Sequence, residues 1–349
     1  MSVAPWLKLA GKALKANRGS LALPYKMTFV VTKECHSRCL HCKIWDAAPD
    51  GELSLEEIRT FAKNSPFLSW IDFTGGEPTD RKDLPEIVSA FLESCPDLIF
   101  VRLPTNGLNP DRIVDSAKRI LALRPPVFVA SVSVDGPRDL NDRLRGVKGD
   151  FDRAMETFRR LKELKGIRLY AAMTLYPENA GTTRETVAAI QKVVPGFRAR
   201  DLHVNLPQIS AHYYGNENDR ELSADNTLAL AQGLRQIIRQ RGAPRSPMGF
   251  IERLYQREAL KYLRTGRTPL SCEALGSSFY LSEKGHLYPC SVWNKPIGNI
   301  REHEYSLLPL WRTEFARSLR ESVLKKECAH CWTPCDAYPT LVANLLRTG

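Results

Sequence analysis

The sequence lacks an apolar run of the ~18–20 residues that a membrane-spanning helix needs, since its longest such run, around residues 127–134, has the length of a buried strand. It also lacks an evident secretory signal, because Lys8 and Lys12 interrupt the only apolar stretch near the start. Nine cysteines among 349 residues are too few for a disulfide scaffold, and their number is odd. We therefore expect a soluble, cytoplasmic protein whose clustered cysteines bind metal or act in catalysis.

Acidic residues are in the minority: 39 Asp and Glu stand against 50 Lys and Arg, a formal net charge of +11. Such an excess favours acidic substrates, nucleic acid or a membrane surface. Residues 6–18 have the pattern of a short basic amphipathic helix, which suits either peripheral contact with anionic lipid or packing against the rest of the protein. No RNA-binding motif is present, so we do not expect a nucleic-acid partner.

Six short apolar runs alternate with helical patterns between residues 27 and 206, which predicts an α/β fold with a parallel sheet, either open or a partial barrel. Helix starts are predicted by the capping-box spacing of Ser54 with Glu57 and of Thr182 with Glu185, and by Asn109-Pro110. After residue 265 the sequence becomes rich in loops and cysteine. We predict three parts: a basic N-terminal segment over 1–24, an α/β domain over 25–265 and a small cysteine-rich domain over 266–349.

Unusual residues follow the predicted strands at one end. Cys35, Cys39 and Cys42 follow the first strand, and Gly75-Gly76-Glu77-Pro78 follows the second. Asn106 follows the third, and Ser133 and Asp135 end the fourth. In parallel α/β folds this edge of the sheet builds the active site. The sequence therefore predicts one composite site there.

The first three cysteines are spaced Cys35-x-x-x-Cys39-x-x-Cys42, which places three thiols within eight residues. A closed zinc site or an ordinary iron–sulfur site uses four ligands. His36 and His41 are close enough in sequence to complete a structural zinc site. The other interpretation is a 4Fe–4S cluster with one iron left open. The spacing alone leaves both open.

Taken together, the three-cysteine spacing, Gly75-Gly76-Glu77-Pro78, the Asn106-Gly107 turn and the Ser133/Asp135 strand end resemble the radical S-adenosylmethionine (radical SAM) superfamily. The resemblance implies a partial (β/α)6 TIM-like barrel in which the three-cysteine 4Fe–4S cluster cleaves SAM to a 5′-deoxyadenosyl radical that abstracts hydrogen. It also implies that Gly75, Gly76, Glu77 and Pro78 lie near the methionine amino group, and that Arg145 pairs with the methionine carboxylate. Asn106, Ser133 and Asp135 would hydrogen-bond the cofactor. His36 departs from the family, since many members have Asn after the first cysteine.

The tail contains five cysteines: Cys272, Cys290, Cys328, Cys331 and Cys335. The Cys272…Gly285-x-x-x-x-Cys290 element resembles the SPASM/twitch domains that follow many radical SAM barrels, which implies an auxiliary 4Fe–4S cluster. The count of five favours the smaller twitch form with one cluster. We expect the first four as ligands and Cys335 as a spare or an alternative. A zinc ribbon built from the same residues stays open.

The substrate is not readable from the sequence; a ribosomal peptide, a small molecule and a lipid are all compatible with it. We expect a flavodoxin- or ferredoxin-type electron donor. The ends of the fifth and sixth strands offer candidate substrate contacts: Thr174, Tyr176, His203, Asn205, Gln208, His212 and Tyr213. The alternative to an enzyme is a non-catalytic zinc-binding scaffold or a nucleic-acid-binding protein.

Overall fold

The computed structural model describes residues 4–17, 23–48, 50–219 and 226–345, so residues 1–3 and 18–22 of the predicted N-terminal segment lie outside the described residues. Six parallel strands form the central sheet: β1 (Lys26–Thr32), β2 (Trp70–Gly75), β3 (Phe100–Thr105), β4 (Val127–Ser133), β5 (Ile167–Thr174) and β6 (Leu202–Asn205). They pair in chain order, and β6 is one edge of the sheet. The predicted α/β partial barrel is confirmed.

Helices connect these strands and cover the outer face of the sheet. Their bounds are α2 (Leu55–Lys63), α3 (Leu84–Ser94), α4 (Pro110–Ala122), α5 (Arg138–Arg145), α6 (Asp150–Lys162) and α7 (Thr183–Val193), followed by α8 (Thr227–Arg241) and α9 (Pro247–Thr265). Ser54 and Glu57 form the predicted capping box, and the Asn109 side chain accepts from Arg112 N. The capping box predicted at Thr182 is wrong, because its hydroxyl donates to Asn179 O instead of accepting from the helix.

Alternate residues of each strand explain why the barrel has a polar interior. Met27, Phe29 and Val31 point outward into the main hydrophobic core under the helices. Residues of the opposite strand face point to the inner side, where Lys26 Nζ lies 3.2 Å from Asp72 Oδ2 and Arg102 Nη1 lies 3.8 Å from the same atom. A buried charge is stable only when it is paired, and this cluster forms the floor of a cavity.

The cysteine-rich tail extends the same sheet beyond β1. Strand β7 (Ser278–Leu281) pairs parallel with β1, and β8 (His286–Tyr288) and β9 (Gly298–Asn299) continue antiparallel. Three helices follow: α10 (Leu307–Trp311), α11 (Glu314–Leu324) and α12 (Pro334–Leu345). The domain boundary near 265 stays a prediction, since the two parts share one sheet.

The N-terminal helix α1 (Ala4–Asn17) packs against α12. Its Leu9 and Ala13 are buried, Lys8 Nζ contacts Asp97 Oδ1 at 2.8 Å, and Lys12 Nζ donates to Ser69 Oγ at 2.7 Å. Leu9, Ala13 and two of the lysines of this helix thus make their contacts within the protein. Within the described ranges, no helix combines the length and apolar character needed to cross a bilayer.

Candidate active site

The predicted composite site is a cavity of about 180 Å³ at the C-terminal ends of the strands. The side chains of Cys35, Cys39 and Cys42 line it together with residues from β2 to β6. Of the residues expected to bind the cofactor, Gly75, Gly76, Asn106, Ser133 and Arg145 also line it. Glu77, Pro78 and Asp135 are buried behind this lining.

Backbone hydrogen bonds fix the cysteine loop from two sides. From β2, Gly76 N donates to Thr32 O at 2.9 Å and Glu77 N to Glu34 O at 2.7 Å. From the loop itself, Arg38 N donates to Arg145 O and Leu40 N to Leu144 O, both at 2.9 Å. The positions of the three thiols therefore depend on the ends of β2 and α5.

Two glycines permit the close approach of this loop to β2. Gly75 has φ +147°, and a Cβ there would lie 2.1 Å from Thr32 O. A Cβ on Gly76 would lie 2.1 Å from Glu34 O. Only glycine fits at such distances, so this structure gives the Gly-Gly pair a packing role that the sequence did not indicate.

Glu77 connects the ends of β2 and β3 through hydrogen bonds to its carboxylate. Its carboxylate accepts hydrogen bonds from Thr79 N (3.2 Å), Thr79 Oγ1 (2.6 Å), Thr105 Oγ1 (2.9 Å) and Asn106 N (2.6 Å). Burial raises the pKa of this carboxyl, and the donors oppose the shift. Since these donors already engage both oxygens, the geometry supports a positioning role for Glu77.

Asn106 and Arg145 connect the cavity wall to the thiols. Asn106 Nδ2 donates to Cys35 Sγ at 3.8 Å. The buried guanidinium of Arg145 binds Asp135 Oδ2 at 3.1 Å and lies 3.8 Å from Asp150, and these carboxylates, with Cys39, raise the pKa of Arg145 well above its ordinary value. Asp135 also accepts from Thr174 N, so it orients Arg145 from behind.

Burial keeps the three thiols protonated unless a metal binds them. It raises the pKa of Cys39 and of Cys42 to about 12, and it also raises the pKa of Cys35. Arg145 lowers the pKa of all three, and the N–H groups of Ser37 and Ile44 lower it at Cys35 and Cys42. Such donors stabilise a ligating thiolate, so the donor set fits an iron–sulfur cluster.

Among the described residues, no three Cys, His, Asp or Glu side chains converge as they would on a single metal ion. The thiols that hold a four-iron cluster bind different irons, so they need not meet at one point. His41 lines the cavity as well, whereas His36 is exposed and contacts Asp80 Oδ2 through Nδ1 at 2.7 Å.

Four of the five tail cysteines lie together. Cys272, Cys290, Cys328 and Cys331 pack in one cluster with Ala274, Val292, Trp293 and Val323. Backbone N–H groups reach two of the sulfurs: Ala274 N lies 3.5 Å from Cys272 Sγ, and Trp293 N lies 3.3 Å from Cys290 Sγ. This grouping matches the expected set of four.

Cys335 lies elsewhere. Its side chain lines the barrel cavity, with Pro334 beside it, and does not belong to the tail cluster. We expected Cys335 as a spare or as an alternative ligand. The structure does not bring it to the other four, which favours the spare, and its role stays a prediction.

The candidate substrate contacts divide into two groups. Thr174, Asn205 and Tyr213 line the cavity, and the Tyr213 hydroxyl lies 2.7 Å from Thr74 Oγ1. Tyr176, His203, Gln208 and His212 do not line it; His203 faces a separate apolar cavity of about 250 Å³ nearer the N-terminal ends of the strands. Sequence reasoning missed Asp72, Arg102, Ser131 and Tyr214, which no motif marks.

Comparisons with known proteins agree with this geometry. The model of the radical SAM superfamily matches residues 29–190, and that of the iron–sulfur cluster-binding domain SPASM matches residues 272–332. An AdoMet-dependent heme synthase from Oleidesulfovibrio alaskensis is 23% identical over 364 residues, covering 92% of this chain and 86% of that protein.

A Fe-coproporphyrin III synthase from Methanosarcina barkeri is 33% identical over 156 residues, which cover 43% of this chain and only 36% of that protein. The solved structure of native anSMEcpe with bound AdoMet has a TM-score of 0.62 at 13% identity, covering 93% of this chain and all of that one, a likeness of fold alone. The family matches favour the enzymatic interpretation over a zinc scaffold or a nucleic-acid-binding protein.

Proposed function

Because this chain belongs to the radical SAM superfamily and carries a C-terminal SPASM domain, we propose that it abstracts a hydrogen atom from an organic substrate bound in the barrel cavity. In this family, a reduced 4Fe–4S cluster supplies the electron that splits SAM into methionine and a 5′-deoxyadenosyl radical. The observation that carries the proposal is that Cys35, Cys39 and Cys42, which one short loop supplies, line the same cavity as Gly75, Gly76 and Asn106.

Cys35, Cys39 and Cys42 are the proposed cluster ligands. A trio of thiolates leaves one of four irons without a protein ligand, which is where the methionine part of SAM would bind. Asn106 and the N–H groups of Ser37 and Ile44 stabilise the ligating thiolates through hydrogen bonds to sulfur. Their role is to hold and tune the ligands.

The polar residues that line the cavity are the proposed SAM contacts: Gly75, Gly76, Asn106, Ser133 and Arg145. Arg145 supplies a positive charge for the methionine carboxylate while Asp135 holds its guanidinium in place. Glu77, Pro78 and Asp135 act from behind the lining, by fixing strand ends and Arg145. This division refines the earlier expectation that all of them contact the cofactor.

Cys272, Cys290, Cys328 and Cys331 are the proposed ligands of an auxiliary cluster. Four thiolates fill a four-iron cluster with protein ligands, so its proposed roles are electron transfer and rigidity. Together the two sites predict about eight irons and eight sulfides per chain.

The substrate belongs to the broad class of peptides and small molecules. The long alignment with a heme synthase makes a tetrapyrrole the first small molecule to test. A flavodoxin- or ferredoxin-type protein is the proposed electron donor. A cytoplasmic location stays part of the proposal, because clustered free cysteines suit a reducing compartment. Peripheral membrane contact stays a prediction, and the packing of α1 onto the protein gives it no support.

The experiment is SAM cleavage by anaerobically reconstituted protein under dithionite, with 5′-deoxyadenosine measured by mass spectrometry. Wild type should form 5′-deoxyadenosine, and Cys39→Ala should form none and lose about four irons. Cys95→Ala is the matched control, because Cys95 is a buried thiol outside the cavity that donates to Ser65 O. Cleavage that persists in Cys39→Ala would contradict the proposal.

A further inference from the structure

The thiol of Cys335 lines the same cavity as the three cysteines of the first loop, although its neighbours in sequence belong to the tail. We infer that Cys335 is a hydrogen-atom donor, which quenches a carbon-centred radical formed in that cavity. The inference rests on the proposed function and extends it, because it specifies how turnover ends.

Two sets of contacts fix the position of Cys335. Lys26 Nζ, from the floor of the barrel, donates to Cys335 O at 2.7 Å. On the tail side, Asp336 Oδ2 accepts from Ser291 Oγ at 2.9 Å and from Thr333 Oγ1 at 3.0 Å. The first turn of α12 is thereby held between the barrel and the segment that carries Cys290.

The electrostatic neighbours of the Cys335 thiol also belong to the barrel. Lys26, Asp72 and Arg102 are the largest charges acting on it. In contrast, the thiols of Cys272, Cys290 and Cys331 act on one another. Cys335 is therefore placed for chemistry in the cavity and not for ligation of the auxiliary cluster.

A second observation points to a ligand in the cavity that this thiol lines. Ser131 lines this cavity and also borders the apolar cavity beneath it; it is 95% buried, and its Oγ has no hydrogen-bond partner among the described residues. Buried hydroxyls in proteins are normally hydrogen-bonded, so this one points to a polar group of a bound molecule. The barrel cavity is therefore lined both by Ser131, a contact for a bound molecule, and by the thiol of Cys335.

The chemistry balances in two steps. The carbon radical takes the hydrogen atom: a C–H bond forms, the S–H bond of Cys335 breaks, and a thiyl radical remains. The thiyl radical then takes one electron from a low-potential one-electron donor and one proton from solvent, which restores the thiol. Alkyl radicals take hydrogen from thiols faster than from phenols or aliphatic carbon. Burial raises the pKa of Cys335 to about 11, so it carries its hydrogen at neutral pH.

The test uses the deoxyadenosyl radical itself as the probe, in D2O with SAM and dithionite and without substrate. A thiol exchanges its hydrogen with solvent, so wild type should give 5′-deoxyadenosine with one deuterium on the 5′ carbon. Cys335→Ser should lower the deuterated fraction at least fivefold. The fraction is measured per molecule of product and so does not depend on turnover. Cys95→Ser, Tyr213→Phe and Tyr214→Phe, the last two removing the phenols of the cavity, should keep the wild-type fraction.

A second readout needs no turnover. Iron and sulfide content of Cys335→Ser should equal that of wild type, whereas Cys331→Ser should lose about half. Loss of iron in Cys335→Ser would overturn the inference, because Cys335 would then be a ligand. Undeuterated product from wild type, or deuteration that survives in Cys335→Ser, would also overturn it. Absence of any 5′-deoxyadenosine from wild type would instead overturn the proposed function.

Discussion

The variant Glu77→Gln tests whether the Glu77 carboxylate holds the ends of β2 and β3 together or contacts the cofactor. The carboxylate of Glu77 receives the backbone N–H groups of Thr79 and Asn106, one on each oxygen. Glutamine has one oxygen and one NH2 group, and an NH2 group cannot accept. In either orientation of the amide, one buried backbone N–H therefore faces another donor.

The cost follows from that lost acceptor. A buried donor left without a partner costs about 1–3 kcal/mol, and hydrogen bonds to a charged group contribute about 1.5–3 kcal/mol. A neutral amide is cheaper to bury than a carboxylate, which offsets part of the loss, as the raised pKa of Glu77 indicates. We expect a net destabilisation of about 2 kcal/mol, which lowers the midpoint of thermal unfolding of this 349-residue chain by about 3 °C.

The assay is thermal unfolding of the reconstituted protein without SAM, followed by titration with SAM. Glu185→Gln on the exposed face of α7 is the matched control and should change the free energy of unfolding by less than about 0.5 kcal/mol. If Glu77→Gln leaves the unfolding midpoint unchanged and only weakens SAM binding, the carboxylate contacts the cofactor directly. The argument that Glu77 holds the ends of β2 and β3 together is then refuted.

Two further predictions concern the loop and acid stability. Gly76→Ala places a Cβ 2.1 Å from Glu34 O, so the cysteine loop must move and the iron content should fall by about four irons per chain. Gly181→Ala is the control and should keep its iron, because a Cβ there meets nothing within 4 Å. Equal iron content in the two variants would contradict the packing argument. Burial lowers the pKa of His203 from 6.5 to about 4, so the folded state binds fewer protons than the unfolded state between these values. The contribution of neutral His203 to the free energy of unfolding is therefore fully present above pH 6.5 and is lost as pH falls, by about 2 kcal/mol at pH 5. Urea unfolding at pH 7 and pH 5 should show a smaller loss for His203→Gln, and an equal loss would exclude His203 as the source.

The features that the sequence predicted best are those that depend on residues close together in the chain. The six strands follow from short apolar runs, and the helix start at Ser54 follows from one side chain and one backbone N–H three residues later. Thr182 has the same spacing to Glu185, yet its hydroxyl donates backwards to Asn179 O. A preceding turn that competes for the hydroxyl is not visible in the capping pattern.

Contacts between distant segments could not be read in this way. Gly75 and Gly76 were expected to admit the cofactor, but what excludes a larger side chain at these positions in the structure is the backbone of residues 32–34. Cys335 follows Cys331 by only four residues, and the spacing alone left open whether it is a spare or an alternative ligand of the tail cluster. Helix α12 begins at Pro334 and places residue 335 on the barrel side, a direction that depends on Lys26, more than 300 positions earlier.

The central claim is that the first loop supplies three ligands and leaves one iron open to SAM. Electron paramagnetic resonance of dithionite-reduced Cys290→Ser, which removes an auxiliary ligand, tests it most directly by isolating the signal of the first cluster. We predict that adding SAM shifts the g values of this signal, because the methionine part coordinates the open iron. A cluster signal that SAM leaves unchanged would contradict the account.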